Sequence, residues 1–124
     1  MNLVDSCGWL EYLADGPNAA FFEAALLDTA TLLVPSICIV EVSKRMWTWL
    51  GKQAALAAAA AMREGLVVEL DAHLAWNAAS LGLELRLPLA DSVILATARQ
   101  HQATIWTQDA HFQGLPGVRY QARP

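Results

Sequence analysis

The segment Leu32-Leu33-Val34-Pro35-Ser36, residues 32–36, indicates the fold class, because a continuous apolar run ends at a proline and a helical stretch follows. A short apolar run of this kind is typical of a strand that is buried on both faces of a sheet. We predict a strand over 32–34 and a helix that is capped by Ser36 and runs to about Leu50. A strand followed directly by a helix is the repeating unit of a parallel sheet.

The same alternation continues in both directions along the chain. Further strands are predicted at 3–4, 66–70 and 104–106, with an edge strand at 118–120. Further helices are predicted from Gly16-Pro17 through Leu26, over 52–64, from an Asp71 cap through Leu85, and from Pro88 to near His101. The alternation predicts a three-layer α/β/α sandwich with a central, mainly parallel sheet of four to five strands.

Length and composition favour one globular domain. The chain has 124 residues, of which 56% are hydrophobic and only 16% are charged, so we expect a single domain over 1–124. The longest apolar run, residues 54–62, is nine residues long, whereas a membrane helix needs about 20. The first residues, Met1-Asn2-Leu3-Val4-Asp5, lack a basic region and place an acid where a signal peptide is most apolar. We therefore expect a cytoplasmic protein with no membrane partner.

Four carboxylates stand where apolar segments meet loops or helix starts. Asp5 closes the first strand, Glu41 lies one turn into the helix after Pro35-Ser36, Asp91 opens the helix after Pro88, and Asp109 follows the strand at 104–106. Ligands of parallel sheets bind beyond the carboxyl ends of the strands, where Asp5 and Asp109 fall. Crowded carboxylates repel one another unless a cation lies between them. An oxygen-only site selects Mg²⁺ or Mn²⁺, and we predict a metal-dependent phosphodiester enzyme.

Each acid also has an ordinary structural interpretation. Asp5 could cap a helix that begins at Ser6, Glu41 could pair with Lys44 or Arg45 on its helix, and Asp109 could be a turn aspartate. Asp91 differs, because it shares a helical stripe with the apolar residues at positions 94, 95 and 98. Its charge therefore points toward the core, where a carboxylate needs a partner or a metal. The conjunction of the four favours a site.

The motifs that contain these acids resemble those of a known family. Val4-Asp5-Ser6, Pro35-Ser36 followed by Glu41, residues 89–98 and Trp106-Thr107-Gln108-Asp109 together look like a PIN domain of the VapC toxin type. The resemblance covers nearly the whole chain. It implies a small endoribonuclease that depends on Mg²⁺ or Mn²⁺, cleaves RNA, and is held inactive by a cognate VapB-type antitoxin.

The resemblance also assigns roles to individual residues. Asp5, Glu41, Asp91 and Asp109 match the family's acidic quartet, and Ser6 and Thr107 match positions whose hydroxyls usually support it. We expect Asp5 and Asp91 to be the most direct metal ligands. Glu41 and Asp109 would be ligands or orienters of a water ligand, and Ser6 and Thr107 would be hydrogen-bond donors behind them.

Residues outside the quartet allow two interpretations each. Lys44 and Arg45 are either phosphate contacts or solvated helix charges. Met46, Trp47 and Trp49 are either core residues or part of an interface with a second copy, in a homodimer, or with an antitoxin helix. His73, His101 and His111 have no partners at metal-ligand spacing and are expected at the surface or at helix ends. Cys7 and Cys38 are expected to be small buried thiols in a reducing compartment.

Other classes fit less well. The net charge of −4 is unusual for a nucleic-acid enzyme, but without the four candidate ligands eight basic residues face eight acidic ones. A haloacid-dehalogenase-like phosphatase needs a second acid two residues after the first, and Cys7 stands there. A receiver-like domain needs a lysine on a late strand, and residues 104–107 contain none. A non-catalytic interaction module, or a nuclease for another nucleic acid, is the remaining alternative.

Overall fold

The computed structural model describes all residues from Met1 to Pro124. The five strands are β1 (Asn2–Val4), β2 (Leu32–Pro35), β3 (Leu66–Val68), β4 (Thr104–Thr107) and β5 (Val118–Tyr120). The six helices are α1 (Ser6–Leu13), α2 (Ala19–Leu27), α3 (Ser36–Leu50), α4 (Lys52–Met62), α5 (Ala72–Leu85) and α6 (Leu89–Gln100). Short 3₁₀ turns cover Thr29–Thr31 and Ala110–Phe112. None of the six helices combines the length and the hydrophobicity that a membrane span requires.

The strands form one sheet in the order β3-β2-β1-β4-β5, and every neighbouring pair is parallel. Leu3 is aligned with Leu33 of β2 on one side and with Ile105 of β4 on the other. The chain thus proceeds outward from β1 to β3 and then returns to the opposite side of β1. The carboxyl ends of β1 and β4 therefore meet at a topological switch point, where parallel sheets bind ligands.

Burial explains why the central strands are apolar throughout. Leu3 and Val4 of β1 point to opposite faces of the sheet, yet both are fully buried, and all four residues of β2 are buried as well. Helices must therefore cover both faces, which confirms the predicted three-layer sandwich. The main core consists of 20 buried residues, and a smaller cluster of four lies between α5 and α6.

Helix α6 passes through the interior. Every residue from Asp91 to Ala98 is buried, which is rare for a helix in a chain this small. Its hydroxyl groups are satisfied within the helix, because Ser92 Oγ donates to Pro88 O at 2.9 Å and Thr97 Oγ1 donates to Val93 O at 2.7 Å. Asp91 is the one buried carboxylate of this helix, and it enters the core from the first turn.

Several predicted boundaries differ from the structure. Helix α2 begins at Ala19, after Gly16-Pro17, because residues 14–18 form turns in which Asp15 has a φ of 51°. Strand β3 ends at Val68, and α4 ends at Met62. Ser36 is the first helical residue and not a cap, since its Oγ accepts from the Leu70 N–H at 3.3 Å. The cap predicted at Asp71 is confirmed by its 2.8 Å bond from the Leu74 N–H.

Gly8 sets the distance between α1 and its neighbours β1 and α2. A Cβ at this position would lie 2.6 Å from Phe22 Cε1 and 2.7 Å from Val4 Cγ1. These distances are too short for any larger residue without displacing a buried neighbour. The absence of a side chain therefore lets the first turn of α1 pack directly against β1. This packing holds Asp5 and Ser6 at the carboxyl end of β1.

Candidate active site

Asp5 lies between β1 and α1, at the carboxyl end of the central strand, and is only 3% exposed. Thr107 Oγ1, at the end of β4, donates to Asp5 Oδ2 at 2.8 Å, and Cys7 Sγ lies 3.3 Å from the same oxygen. Although Asp5 precedes α1, its side chain makes no capping hydrogen bond. The cap interpretation is therefore wrong, and the carboxylate points toward the carboxyl end of β4.

Asp91 lies close to Asp5 in space, although the two residues are far apart in the sequence. It lies in the first turn of α6 and is 9% exposed, so its charge faces inward, as its helical stripe predicted. His111 Nδ1 lies 3.1 Å from Asp91 Oδ2. Asp5 and Asp91 are the two most buried acids of the site, and we call them the floor.

Glu41 and Asp109 are less buried, and we call them the rim. Ser6 Oγ donates to Glu41 Oε1 at 2.7 Å, which joins α1 to α3. Asp109 Oδ1 accepts from the His111 N–H at 2.9 Å, while the Asp109 N–H donates to Thr107 Oγ1 at 2.9 Å. Thr107 therefore supports both Asp5 and Asp109, so one hydroxyl links the floor to the rim.

An open cavity of about 630 Å³ contains all four acids. Its lining residues are Asp5, Ser6, Cys7, Leu10, Glu11, Ala14, Pro17, Glu41, Arg45, Trp49, Asp91, Gln108, Asp109, Arg123 and Pro124. Five carboxylates but only two arginines are among them. The quartet anticipated from the sequence is therefore gathered in one place, together with a fifth acid, Glu11.

Burial and mutual repulsion shift the protonation of the floor. Burial raises the pKa of Asp5, and the Asp109 charge adds to the rise while the Thr107 hydrogen bond opposes it. Burial also raises the pKa of Asp91 to about 7, and the nearby charges of Asp109 and Asp5 contribute to that increase. Near neutral pH, protons or cations must therefore neutralise part of the floor.

His111 belongs to the site, which the sequence reasoning missed. Its Nδ1 lies 2.9 Å from Asp109 Oδ1 and 3.1 Å from Asp91 Oδ2. Hydrogen bonding and attraction to Asp109 raise the pKa of His111, although 57% of its side chain is exposed. The sequence offered one signal, because His111 lies two residues after Asp109. Asp109 caps the short 3₁₀ turn at Ala110–Phe112, which contains His111. His73 and His101 lie at an exposed helix position and a helix end, as predicted.

The two candidate phosphate contacts have different locations. Arg45 lines the cavity, and its guanidinium lies 4.6 Å from the centroid of the Trp49 ring, which also lines it. Lys44 is exposed and does not line the cavity. Met46 is buried in the core, whereas Trp47 is 54% exposed and points away from it. Residues that the sequence grouped together thus divide among core, cavity and outer surface.

The two cysteines are free thiols. Cys38 is fully buried, as predicted, but Cys7 is only partly buried and lines the cavity. Burial and the Asp5 charge raise the pKa of Cys7 to about 12. Cys7 contacts Asp5, and its raised pKa disfavours the thiolate form that a nucleophilic cysteine needs.

The family assignment follows from a comparison with sequence models. The model described as PIN domain matches residues 3–118. The chain therefore belongs to the PIN domain family, which confirms the resemblance inferred from its four motifs. A comparison with curated protein sequences gave no match.

Solved structures share the fold over nearly their full lengths. A toxin–antitoxin complex from Klebsiella pneumoniae is 24% identical, with a TM-score of 0.78 and 96% of each chain covered. VapC20 from Mycobacterium tuberculosis, described as a sarcin–ricin loop cleaving toxin, is 18% identical, with a TM-score of 0.79 and coverage of 95% and 97%. DNA-bound VapBC from Salmonella typhimurium is 19% identical, with a TM-score of 0.77 and 98% of each chain covered. The fold is thus similar to that of VapC-type toxins.

Proposed function

We propose that this protein is a metal-dependent endoribonuclease and the toxin of a VapBC-type toxin–antitoxin pair. The observation that carries the proposal is the buried floor, where Asp5 and Asp91 lie with raised pKa values beside Asp109. A stable domain avoids such unneutralised carboxylates unless they serve a ligand. In a PIN domain, the ligand that best fits this donor set is a divalent cation.

The residues present fit Mg²⁺ or Mn²⁺. Four carboxylates supply the hard oxygen donors that these ions prefer. Atoms of Asp91, Asp109 and His111 all lie within 4.8 Å of one another, close enough to share one ion. We propose Asp5 and Asp91 as the direct ligands and Glu41 and Asp109 as ligands or orienters of water.

The chemistry divides between the ion and the protein. When bound, a divalent ion lowers the pKa of water and neutralises charge on phosphoryl oxygens. Ser6 holds Glu41 in one orientation through its 2.7 Å hydrogen bond. Thr107 likewise fixes Asp5 and positions the backbone of Asp109. Such donors behind the ligands restrict carboxylate rotation, and their loss in metal sites typically costs about 10- to 100-fold in affinity or activity.

RNA is the proposed substrate, and Arg45 with Trp49 is its proposed contact on α3. Arg45 supplies a fixed positive charge beside an acidic cavity, which suits a phosphate next to the cleaved bond. The indole of Trp49 offers a stacking surface for an unpaired base. The described activity of VapC20 on the sarcin–ricin loop is in line with this substrate class.

The cleavage test uses purified, antitoxin-free protein with single-stranded RNA, structured RNA loops, tRNA and single-stranded DNA. We expect RNA cleavage with Mg²⁺ or Mn²⁺ and none with a chelator. Cleavage that is unchanged by the chelator would overturn the metal mechanism. Preference for DNA would transfer the activity to another nucleic acid. No cleavage of any substrate, with ions bound, would favour a non-catalytic interaction module.

A VapB-type antitoxin and a second copy of the chain are the proposed protein partners, and the cytoplasm is the proposed location. Similar folds occur in toxin–antitoxin complexes, and the large apolar side chain of Trp47 on α3 is exposed to solvent.

We expect Trp47→Ala to weaken homodimerisation or antitoxin binding without lowering the melting temperature. Trp76→Ala, at a 77% exposed site on α5, is the matched control. If only the control weakens association, the interface lies on α5.

A further inference from the structure

Residues 121–124 run along the edge of the cavity, and we call them the tail segment. Its first residue is held by a backbone hydrogen bond, since the Gln121 N–H donates to Thr107 O at 3.0 Å. Thr107 is the residue whose hydroxyl supports Asp5 and Asp109. The tail segment is thus attached directly to the site, and Arg123 within it lines the cavity.

Asn18 fixes the tail segment a second time. It precedes α2 in the cap position, where asparagine is a favoured residue, but its side chain makes no capping hydrogen bond. Its Nδ2 instead donates to Ala122 O at 3.1 Å and to Gln108 Oε1 at 2.9 Å. The side chain thus joins the tail segment to the loop after β4.

The groups that hold Asn18 are themselves buried or lie at the site. Asn18 and Gln108 are 8% and 7% exposed, and the Asn18 N–H donates to Glu11 Oε2 at 2.8 Å. Buried amides are costly unless they are hydrogen-bonded in a defined geometry, and a satisfied network rigidifies its members. The segment that carries Arg123 is therefore fixed relative to the floor.

The charges that line the cavity indicate what Arg123 could bind. Among the cavity-lining residues, five carboxylates oppose two arginines, Arg45 from α3 and Arg123 from the tail segment. A polyanion that enters such a cavity needs fixed positive charge in addition to the metal. An extended strand also carries phosphates on both sides of the cleaved bond, so one arginine cannot contact all of them.

We infer that Arg123 is a substrate-binding residue, which contacts an RNA phosphate from the side of the cavity formed by the tail segment. Asn18 is a positioning residue, because it acts by holding that segment in place. This inference rests on the proposed ribonuclease function. It adds a second substrate contact, supplied by a different part of the chain from Arg45.

The test measures binding of a fluorescein-labelled, phosphorothioate-linked single-stranded RNA 12-mer by anisotropy, with Mg²⁺ present and at several salt concentrations. Arg123→Gln should weaken binding about tenfold at low salt, the lower range for a hydrogen bond to a charged group. The salt dependence should become shallower by about 0.7 in slope, the change for one lost phosphate contact on a single strand. Arg45→Gln should have a similar effect.

Arg99→Gln is the matched control. It removes the same charge from an exposed position near the end of α6, about 12 Å along the helix axis from Asp91. The control should bind the probe like the parent. If Arg123→Gln also matches the parent while Arg45→Gln weakens binding, the inference fails and the ribonuclease proposal stands. If the parent does not bind the probe, the inference about Arg123 and the ribonuclease proposal both fail.

Asn18→Ala separates a positioning role from general destabilisation. In the parent background it should weaken RNA binding to about the level of Arg123→Gln. In the Arg123→Gln background it should have no further effect, because the segment that it positions has lost its phosphate contact. Additive losses in the double variant would assign Asn18 to the stability of the fold alone and overturn its positioning role.

Discussion

The floor and the rim of the cavity hold the same kind of group in different surroundings. Asp5 and Asp91 of the floor are removed from solvent, and burial raises the pKa of both. Glu41 and Asp109 of the rim keep contact with solvent and are oriented by Ser6 Oγ and by the His111 backbone. Burial thus disfavours the ionised form of the floor acids, and the charge of Asp109 at the rim adds to this effect. Substitutions in the two regions should have different effects.

Asp91→Asn should have the largest effect. Loss of a carboxylate that supports a metal ligand typically costs 10- to 100-fold, so loss of a direct ligand should lower the RNA cleavage rate by about 100-fold or more. Expression of the parent without an antitoxin should slow bacterial growth, and Asp91→Asn should relieve this effect at matched protein levels. Glu41→Gln, at the rim, should lower the rate while leaving Mg²⁺-induced thermal stabilisation measurable. If Glu41→Gln removes that stabilisation and Asp91→Asn does not, the assignment of floor and rim is reversed.

Asp5→Asn tests the floor by stability instead of activity. The metal-free protein should become more stable, because the variant no longer buries this charge and no longer repels Asp109. Stabilisation by the ion grows as RT ln(1 + [L]/Kd), about 2.7 kcal/mol at 100 times Kd, and it should shrink or vanish in the variant. Melting curves across Mg²⁺ and Mn²⁺ titrations measure both changes.

Asp71→Asn is the control for that experiment. Asp71 caps α5 through a 2.8 Å bond from the Leu74 N–H, and asparagine is a comparable cap. This variant should therefore show the parent's metal-induced shift and nearly the parent's melting temperature. Equal metal-induced shifts in Asp5→Asn and Asp71→Asn would show that Asp5 does not bind the ion.

The metal-free protein should also show a dependence of stability on pH. The folded-state pKa of Asp91 is raised from its usual value of 3.8 to about 7, so the folded protein binds more protons than the unfolded chain between about pH 4 and pH 7. The free energy of unfolding must then fall as pH rises through this window. The raised pKa of His111 acts in the same direction at the upper end.

Denaturant melts at pH 5, 6 and 7.5 in chelator measure this slope. We expect the metal-free parent to lose stability with rising pH, and Asp91→Asn to lose less. Saturating Mg²⁺ should abolish or reverse the slope, because it favours the ionised carboxylates. A metal-free parent whose stability rises over the same range would contradict the raised pKa of the floor.

The sequence predicted the fold and the clustering of the four acids in one cavity, because their signals are local. Apolar runs mark buried strands, and the stripe that Asp91 shares with Ile94 and Leu95 gives the direction of its side chain. The contacts of His111, Asn18 and the tail segment were missed, because they depend on how segments about 20 to 104 residues apart are packed. No periodicity within one segment encodes such a contact.

The aromatic residues show the same limit. The sequence placed Met46, Trp47 and Trp49 on one helix with too much apolar surface for one side. Only the neighbours of α3 decide that Met46 enters the core, that Trp49 faces the cavity and that Trp47 faces solvent. The surroundings of a helix face are a property of the assembled domain.

The central position of β1 has a consequence for how the protein is made. Asp5 is synthesised before its hydrogen-bond donor Thr107 and its backbone partner Trp106, which lie about 100 residues later in the chain. Contacts of such long sequence separation form slowly and late in folding. A nascent chain that does not yet include β4 therefore lacks Asp109 and the hydrogen-bond donor of Asp5. The strand order thus delays assembly of the four-acid site until β4 has been synthesised and has paired with β1.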